Sequence, residues 1–444
     1  MGKLFGTDGI RGIVGENLTC ELATRVGEAT AYVLGKKGDI SVVIGRDTRI
    51  SGSMLSFAVS AGMMSQGAKV IDVGIVPTPA VSYLVRKYSA TIGIMISASH
   101  NPSEYNGIKL FDSNGFKLSD DLEDEIEKYL MDINVPLTNK CGTYEVGTTA
   151  VADYTDYLLT TSEEMPRDLK IIVDCAYGSA STTAPILFEK LGCNAIFINQ
   201  EYNGYNINDN AGSTHLDGLI NKVKETNADV GIAYDGDADR CLMVDELGNV
   251  IDGDQIMAIC TFNLKNDTKL TNNTLVGTVM SNLGLIKFCE QNDVNFVVTK
   301  VGDRYVLEEM LRNNYIIGGE QSGHIIFREY SNTGDGELTS VQVLNILAKE
   351  KKTLLNLSKV MTKYPQILVN VKVNEEYKEK YADDVDVRMA IETIEKNLNN
   401  EGRVVIRSSG TEPLIRIMIE GLNQEDIIIW ANRIASVIEK KYGN

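Results

Sequence analysis

The sequence has little that suits an extracellular or membrane-spanning protein. It contains seven cysteines but no C-x-x-C pair, and several of them lie in apolar runs. We therefore expect free thiols in a reducing cytoplasm, with neither a disulfide framework nor a zinc site. No apolar run approaches the roughly 18 residues of a membrane span, and the N-terminal segment has no apolar core of the kind found in signal peptides.

Basic residues are too few to balance the acidic ones. The chain has 61 Asp and Glu against 43 Lys and Arg, which gives a formal net charge of -18 over 444 residues. Such a chain repels phosphate backbones and anionic lipid, so we expect neither nucleic acid nor membrane among its partners. A small phosphorylated substrate would need basic residues gathered in its site, against the overall charge.

Apolar, β-rich segments alternate with helical patterns over most of the chain, which predicts an α/β protein with parallel sheets built from βαβ units. The length predicts more than one domain. After residue 363 the pattern changes to three strands followed by an amphipathic helix over 424–442, as in an antiparallel α+β domain. The predicted domains cover residues 1–150, 151–250, 251–363 and 364–444.

The first candidate loop is SASHNP (97–102), at the end of a strand predicted over 91–99. Open α/β sheets bind their ligands at the carboxyl ends of parallel strands. Ser99, beside His100, could therefore be a nucleophile. A Ser/Asn-rich turn stopped by Pro102 explains the same residues, and the lack of a G-x-S-x-G elbow argues against a lipase-like triad.

The second loop is DGDADR (235–240), which follows the apolar strand DVGIAY. Alternating residues of an extended segment point the same way, so the three carboxylates should converge. Carboxylates that crowded need a hard cation between them. An EF-hand is disfavoured because Arg240 replaces its sixth-position glycine. A phosphatase with an aspartyl-phosphate intermediate remains open.

The third loop is GGEQSGH (318–324), between the apolar segments YII and IIF. Its glycines allow the backbone to approach a ligand closely. Glu320, Ser322 and His324 offer hydrogen-bond donors and acceptors, as the recognition of sugar hydroxyls requires. A glycine-rich hairpin would explain the glycines but not these three polar residues.

The fourth loop is RSSGTEP (407–413), with Arg416 beyond it. A guanidinium, several hydroxyls and a flexible backbone can form a phosphate-binding nest. Arginine suits a planar, bidentate contact with phosphate. Considered alone, this segment is explained equally well as a polar hairpin turn.

Together, and in this order, the four loops resemble those of the α-D-phosphohexomutase family. The resemblance extends from TDGIRG (7–12) to the loop of Arg407. Within the family, the sequence is most similar to the bacterial phosphoglucosamine mutases, on the segments GTDGIRG, SASHNPSEYNGIK, VGDRYV (301–306) and GGEQSGH. Gln321 stands where hexose-phosphate enzymes usually carry Met or Lys.

The resemblance implies four domains around a central cleft. Three would be related α/β units with mixed, mostly parallel sheets, and the fourth a C-terminal α+β lid. Each domain would contribute one loop: the serine loop carries a phosphoryl group, the aspartate loop binds Mg²⁺, the loop of Glu320 binds the sugar, and the loop of Arg407 binds the non-reacting phosphate.

The resemblance also implies the reaction. Ser99 would be a phosphoserine, and Mg²⁺ would be held by Asp235, Asp237, Asp239 and a phosphoserine oxygen. Glucosamine 6-phosphate and glucosamine 1-phosphate would be interconverted through glucosamine 1,6-bisphosphate. The 1-phosphate would feed the synthesis of UDP-N-acetylglucosamine and cell wall.

The site residues that the resemblance implies fall into two groups. The expected catalytic residues are Ser99, Arg11, His100, Lys109 and Arg240. The residues expected to bind substrate are Lys300, Asp303, Arg304, Glu320, Gln321, Ser322, His324, Arg407, Ser408, Ser409, Gly410, Thr411 and Arg416. The general base remains open, since a lysine serves as a base only where flanking charges lower its pKa.

Several other functions remain open from the sequence. The nearest is a phosphoglucomutase or phosphomannomutase with the same machinery. A phosphatase and a non-catalytic metal-binding protein are more remote. The expected ligands are small-molecule sugar phosphates, and the sequence leaves open whether the protein forms a homodimer.

Overall fold

The computed structural model describes residues 4–6, 8–36, 38–131, 135–136, 138–163, 169–378, 380–399, 401–408 and 413–443. The chain forms two compact units. The first comprises Met1–Thr278 and Val297–Lys359, and the second comprises Val279–Phe296 and Val360–Asn444. The domain boundaries after residues 150, 250 and 363 stay predictions.

The first unit begins with a six-stranded sheet in the order β1-β5-β4-β2-β3-β6. The neighbouring pairs β4–β2, β2–β3 and β3–β6 are parallel, whereas β5 pairs antiparallel with both β1 and β4. The central strands are continuous apolar runs, as expected of strands covered on both faces. The elements are β1 (Ile10–Ile13), α1 (Cys20–Gly35), β2 (Ser41–Arg46), α2 (Gly52–Ser65), β3 (Lys69–Ile75), α3 (Thr78–Lys87), β4 (Ile92–Ile96), β5 (Tyr105–Asp112), α4 (Asp120–Met131) and β6 (Thr143–Val146).

A five-stranded sheet follows in the order β11-β10-β9-β7-β8. Strands β9, β7 and β8 are parallel, and the hairpin of β9 and β10 is antiparallel. The aspartate loop is the connection of this hairpin. The elements are α5 (Ala150–Thr160), β7 (Lys170–Asp174), α6 (Ala180–Leu191), β8 (Asn194–Ile198), α7 (Asp217–Thr226), β9 (Val230–Tyr234), β10 (Cys241–Asp245) and β11 (Val250–Ile251).

A third sheet pairs β12 with β14 in parallel and β14 with β15 antiparallel. The glycine-rich loop connects β14 and β15. The elements of this part of the chain are α8 (Gly253–Asn266), β12 (Thr274–Thr278), α9 (Leu283–Gln291), β13 (Asn295–Thr299), α10 (Asp303–Asn313), β14 (Ile317–Gly319), β15 (Ile325–Phe327), α11 (Gly336–Glu350) and α12 (Leu354–Ser358). The predicted α/β class with mixed sheets is confirmed.

The second unit contains an antiparallel sheet in the order β16-β18-β17. Its helices α13 and α14 share an apolar core with the strands. Asn423 caps α14 by accepting hydrogen bonds from the amides of Glu425 and Asp426, so the helix begins where the sequence predicts. Helix α13 was not predicted. Besides α9, which falls in its first segment, the elements of this unit are β16 (Gln366–Lys372), α13 (Val385–Leu398), β17 (Gly402–Ser408), β18 (Leu414–Gly421) and α14 (Gln424–Tyr442).

One strand is shorter than predicted. Strand β4 ends at Ile96 instead of continuing to residue 99. Ser99 has a φ of 51°, in the left-handed region that an extended strand does not visit. Among the described residues, we find no helix with both the length and the apolar character needed to cross a membrane.

Candidate active site

The side chain of Ser99 faces the aspartate loop. Ser99 is only 3% exposed, and its hydroxyl donates a hydrogen bond of 2.7 Å to Oδ2 of Asp235. A non-glycine residue at positive φ stores backbone strain, which is common at functional sites. The predicted nucleophile and the predicted metal loop are therefore in direct contact.

Residues that follow the neighbouring strand β2 hold the serine loop in this conformation. Asp47 and Arg49 form a fully buried ion pair of 2.9 Å. Arg49 donates a hydrogen bond of 2.9 Å to the carbonyl of Ser99, and Ser97 donates one of 2.7 Å to Asp47. These supporting contacts were not predicted from the sequence. The charged residues of GRDTR (45–49), at the end of a buried strand and just after it, are the feature that could have indicated them.

The three aspartates of the second loop converge as predicted from their alternation. One carboxylate oxygen of each lies within 4.8 Å of the others, and all three residues are buried. Among the described atoms, Oδ1 of Asp237 and Oδ1 of Asp239 are buried and accept no hydrogen bond. Burial, together with the neighbouring carboxylates, raises the pKa of Asp235 well above its usual range. Three converging carboxylates, two of which have a buried oxygen that accepts no hydrogen bond, fit a hard divalent cation.

Lys109 lies beneath the aspartate loop and is almost fully buried. Its Nζ is 2.9 Å from Oδ2 of Asp237, 2.9 Å from Oδ2 of Asp8 and 3.8 Å from Oδ2 of Asp239. Burial opposes the charge, but the attraction of these carboxylates outweighs it and holds the pKa of Lys109 above its ordinary value. The flanking charges therefore act against the use of Lys109 as a general base.

Three other candidates surround the serine hydroxyl and the carboxylates. Nδ1 of His100 is 3.5 Å from Oγ of Ser99. Burial, assisted by Arg240 and Arg11, lowers the pKa of His100 to about 4, so its imidazole is neutral at neutral pH. Nε of Arg240 is 4.0 Å from Oδ2 of Asp235. Arg11 forms an ion pair of 2.8 Å with Asp8.

Backbone hydrogen bonds connect the glycine-rich loop to the aspartate loop. Arg240 and His324 form an antiparallel β-bridge, and the amide of Cys241 donates to the carbonyl of Gly323 at 3.0 Å. Gly323 has a φ of 94°, and a Cβ at this position would collide with the Cys241 carbonyl. Glycine is therefore required where the two loops meet.

The polar side chains of the glycine-rich loop also have partners. Glu320 accepts a hydrogen bond of 2.8 Å from the amide of Gly302 and one of 3.3 Å from Ser322. Gln321 donates to Asp252 at 3.5 Å. The carboxylate of Glu320 thus ties this loop to the VGDR segment, residues 301–304.

The VGDR segment sends its charged side chains in different directions. Asp303 pairs with Lys117 and lies 3.6 Å from Nε2 of the buried His324. Arg304 pairs instead with carboxylates on α4 and α10, and Lys300 is exposed, with its Nζ 5.9 Å from the centroid of the Tyr305 ring. The contacts of Lys300 and Arg304 therefore lie outside the cluster around Ser99.

In the second unit, Arg407 of β17 lies directly opposite Arg416 of β18. Both are half-buried, and Ser408 follows on the same strand. Residues directly opposite on antiparallel strands project from the same face of the sheet. Ser409, Gly410 and Thr411 of this predicted phosphate site lie outside the described residues.

Comparison with protein families gives four matches in the order of the chain. The domains of phosphoglucomutase/phosphomannomutase match as follows: alpha/beta/alpha domain I at residues 2–134, domain II at 152–248, domain III at 252–364, and the C-terminal domain at 368–437.

Individual proteins are similar over the full length. The chain is 51% identical to a phosphoglucosamine mutase of Alkaliphilus oremlandii, covering 99% of this chain and 100% of the relative. It is 50% identical to a phosphoglucosamine mutase of Thermoanaerobacter pseudethanolicus, with the same coverage. In fold, it is similar to a phosphoglucomutase/phosphomannomutase family protein of Burkholderia thailandensis, with a TM-score of 0.83 at 24% identity, covering 99% and 98% of the two chains.

Proposed function

The chain belongs to the phosphoglucomutase/phosphomannomutase family, and we propose that within it the protein acts as a phosphoglucosamine mutase. It would interconvert glucosamine 6-phosphate and glucosamine 1-phosphate through phosphoserine 99 and glucosamine 1,6-bisphosphate. The family predicted from the four loops is confirmed. The choice of amino sugar is supported by full-length relatives of that name at about half identity.

One observation carries the catalytic part of the proposal: the hydrogen bond from Ser99 to Asp235. Phosphorylation removes the hydrogen that Ser99 donates and brings nearly two negative charges against three carboxylates. That arrangement is stable only with a cation among these oxygens. The Oδ1 atoms of Asp237 and Asp239, which accept no hydrogen bond, are suited to receive it.

Asp235, Asp237, Asp239 and an oxygen of phosphoserine 99 would hold Mg²⁺. When bound, the ion offsets the negative charge that develops on the transferring phosphoryl group. Arg240, whose guanidinium faces two of the aspartates, adds positive charge on the same side.

The residues near Ser99 have different roles, which follow from their charge. Lys109 stays an ammonium that stabilises Asp237 and Asp8, so it supports the aspartate loop and does not accept a proton. When the phosphoryl group leaves Ser99, Oγ takes up a proton equivalent to the one that the attacking sugar hydroxyl loses, and the neutral imidazole of His100 is placed to accept a hydrogen bond from the hydroxyl that forms. The side chain of Arg11 is 30% exposed, so it can contact a substrate phosphate.

Substrate recognition is proposed for the remaining loops. Glu320, Gln321, Ser322 and His324 would bind the sugar, with Lys300, Asp303 and Arg304 around them. The opposed guanidiniums of Arg407 and Arg416 would bind a phosphate group, together with Ser408, Ser409, Gly410 and Thr411. All seven cysteines are free, which fits the reducing cytoplasm as the place of this reaction.

Phosphorus NMR of the purified protein tests the function. The protein is incubated with glucosamine 1-phosphate, Mg²⁺ and a trace of glucosamine 1,6-bisphosphate. We expect the glucosamine 6-phosphate resonance to grow until equilibrium, with no inorganic phosphate formed. Growth of the inorganic phosphate resonance instead would identify a phosphatase, and an unchanged spectrum would contradict the proposal.

A further inference from the structure

A line of alternating charges runs from the aspartate loop to the VGDR segment. Lys109 joins Asp237 to Asp8, with 2.9 Å to each. The other oxygen of Asp8, Oδ1, lies 2.5 Å from Nζ of Lys117, and Lys117 also pairs with Asp303. Lys109 and Lys117 thus each join Asp8 to another carboxylate, and Lys117 is the last bridge before the VGDR segment.

We propose that Lys117 is a positioning residue for phosphoryl transfer, which holds the VGDR segment and the glycine-rich loop in place relative to the serine and aspartate loops. This inference rests on the proposed mutase function. Lys117 acts through Asp8 and Asp303, and it need not touch the substrate.

The backbone around Lys117 is fixed independently of its charge. Lys117 forms an antiparallel bridge with Phe111 of β5, and the amide of Leu118 donates to the carbonyl of Leu110 at 3.0 Å. The same strand carries Lys109. Both ammonium groups therefore project from one short stretch of sheet, which fixes the distance between the carboxylates that they bridge.

On the far side, Asp303 transmits this position to the sugar-binding residues. It follows Gly302, whose amide donates a hydrogen bond of 2.8 Å to Glu320. Oδ2 of Asp303, the oxygen that pairs with Lys117, is 3.6 Å from Nε2 of His324. Displacement of Asp303 would disturb two contacts of the glycine-rich loop: the hydrogen bond from Gly302 to Glu320 and the approach of Asp303 to His324.

Loss of Lys117 should affect its two anions unequally. Asp8 would retain Lys109 and Arg11 as partners. Asp303, with a side chain only 19% exposed, would lose the ammonium that compensates its charge. We expect Asp303 to move toward solvent and to draw the VGDR segment with it. Loss of such supporting contacts typically costs about 10- to 100-fold in activity.

The test compares Lys117→Met and Lys117→Arg with the wild type by kcat and KM for glucosamine 1-phosphate. Lys349→Met is the matched control, because Lys349 makes a 2.5 Å ion pair with Asp267 between two helices that carry none of the loops. We expect Lys117→Met to lower kcat/KM about 10- to 100-fold, through a lower kcat and a higher KM, because the displaced loop is the one proposed to bind the sugar. Lys117→Arg should recover part of kcat, and Lys349→Met should equal the wild type.

Thermal unfolding is measured for every variant, and kinetics are recorded well below each Tm. A wild-type kcat in folded Lys117→Met would overturn the proposal, as would an equal loss in Lys349→Met. If Lys117→Met does not fold, Asp303→Asn breaks the same link with an isosteric side chain. A wild-type kcat there would likewise overturn it. A wild-type protein without mutase activity would contradict the proposed function instead.

Discussion

The hydroxyl of Ser99 lies 2.7 Å from Oδ2 of Asp235, although 136 positions separate the two residues in the sequence. One follows a parallel strand of the six-stranded sheet, and the other follows a parallel strand of the five-stranded sheet. The contact is favourable only while Ser99 carries its proton. A phosphoryl group on Ser99 would create repulsion there unless a cation is bound.

Asp239→Asn should weaken Mg²⁺ binding and lower mutase activity while the protein stays folded. Asp239 is the best aspartate to test, because Asp237 lies closer to the buried Lys109, at 2.9 Å against 3.8 Å for Asp239, and its loss would remove more of the charge that compensates this ammonium. Isothermal titration with Mg²⁺ measures the affinity. Asp156→Asn, at a surface ion pair with Lys190, is the control. Equal Mg²⁺ affinity in Asp239→Asn and wild type would mean that the metal binds elsewhere.

The enzyme should prefer glucosamine phosphate to glucose and mannose phosphates by about 10-fold or more in kcat/KM, as expected when a polar site recognises a polar group. Gln321→Met should reduce this preference, because it removes a polar side chain proposed to bind the sugar, together with the hydrogen bond to Asp252 that orients it. The three sugar phosphates are compared with both proteins. Equal kcat/KM values for all three in the wild type would contradict the assignment to the amino sugar.

Arg407→Ala should weaken the binding of either monophosphate by about 1.5–3 kcal/mol, the range for a charge-assisted contact. We expect a higher KM and release of free glucosamine 1,6-bisphosphate into solution, while Ser99 can still be phosphorylated. Arg433→Ala, on the exposed face of α14, is the control. An unchanged KM without released bisphosphate would show that Arg407 does not bind the phosphate.

Asp335 should make stability depend on pH near neutrality. It caps α11 and accepts a hydrogen bond from Tyr154, and burial raises its pKa from 3.8 to about 7. Between these values the folded protein holds a proton that the unfolded chain does not. Its contribution to stability is therefore present at low pH and is lost as pH rises through about 7, by at most about 1.4 kcal/mol per pH unit.

Asp335→Asn removes this dependence while keeping the shape of the cap. Denaturant unfolding at pH 6 and pH 8 measures the effect. From pH 6 to pH 8 the wild type should lose the contribution of Asp335 and the variant should not. The free energy of unfolding of the variant should therefore rise relative to that of the wild type. A difference between variant and wild type that is constant with pH would show that Asp335 titrates in its ordinary range.

The sequence predicted the strands and the loops after them because apolar runs and turn residues are local features. Ser99 and Asp235 were both identified in this way. The support that Arg49 gives to Ser99 depends on β2 lying next to β4, and sheet order is not encoded in spacing. The protonation of Lys109 depends on Asp8 and Asp237, which only the folded chain brings to its ammonium.

The central claim is that Ser99 carries the phosphoryl group that moves, and intact-mass spectrometry tests it most directly. Wild-type protein and Ser99→Ala are each measured before and after incubation with glucosamine 1,6-bisphosphate and Mg²⁺, and then after addition of excess glucosamine 1-phosphate. We predict that the wild type gains one phosphoryl group, located at Ser99 by peptide mapping, and returns it to the sugar. Ser99→Ala should fold, gain nothing and lose nearly all activity. Phosphorylation of Ser99→Ala, or its normal turnover, would contradict the account.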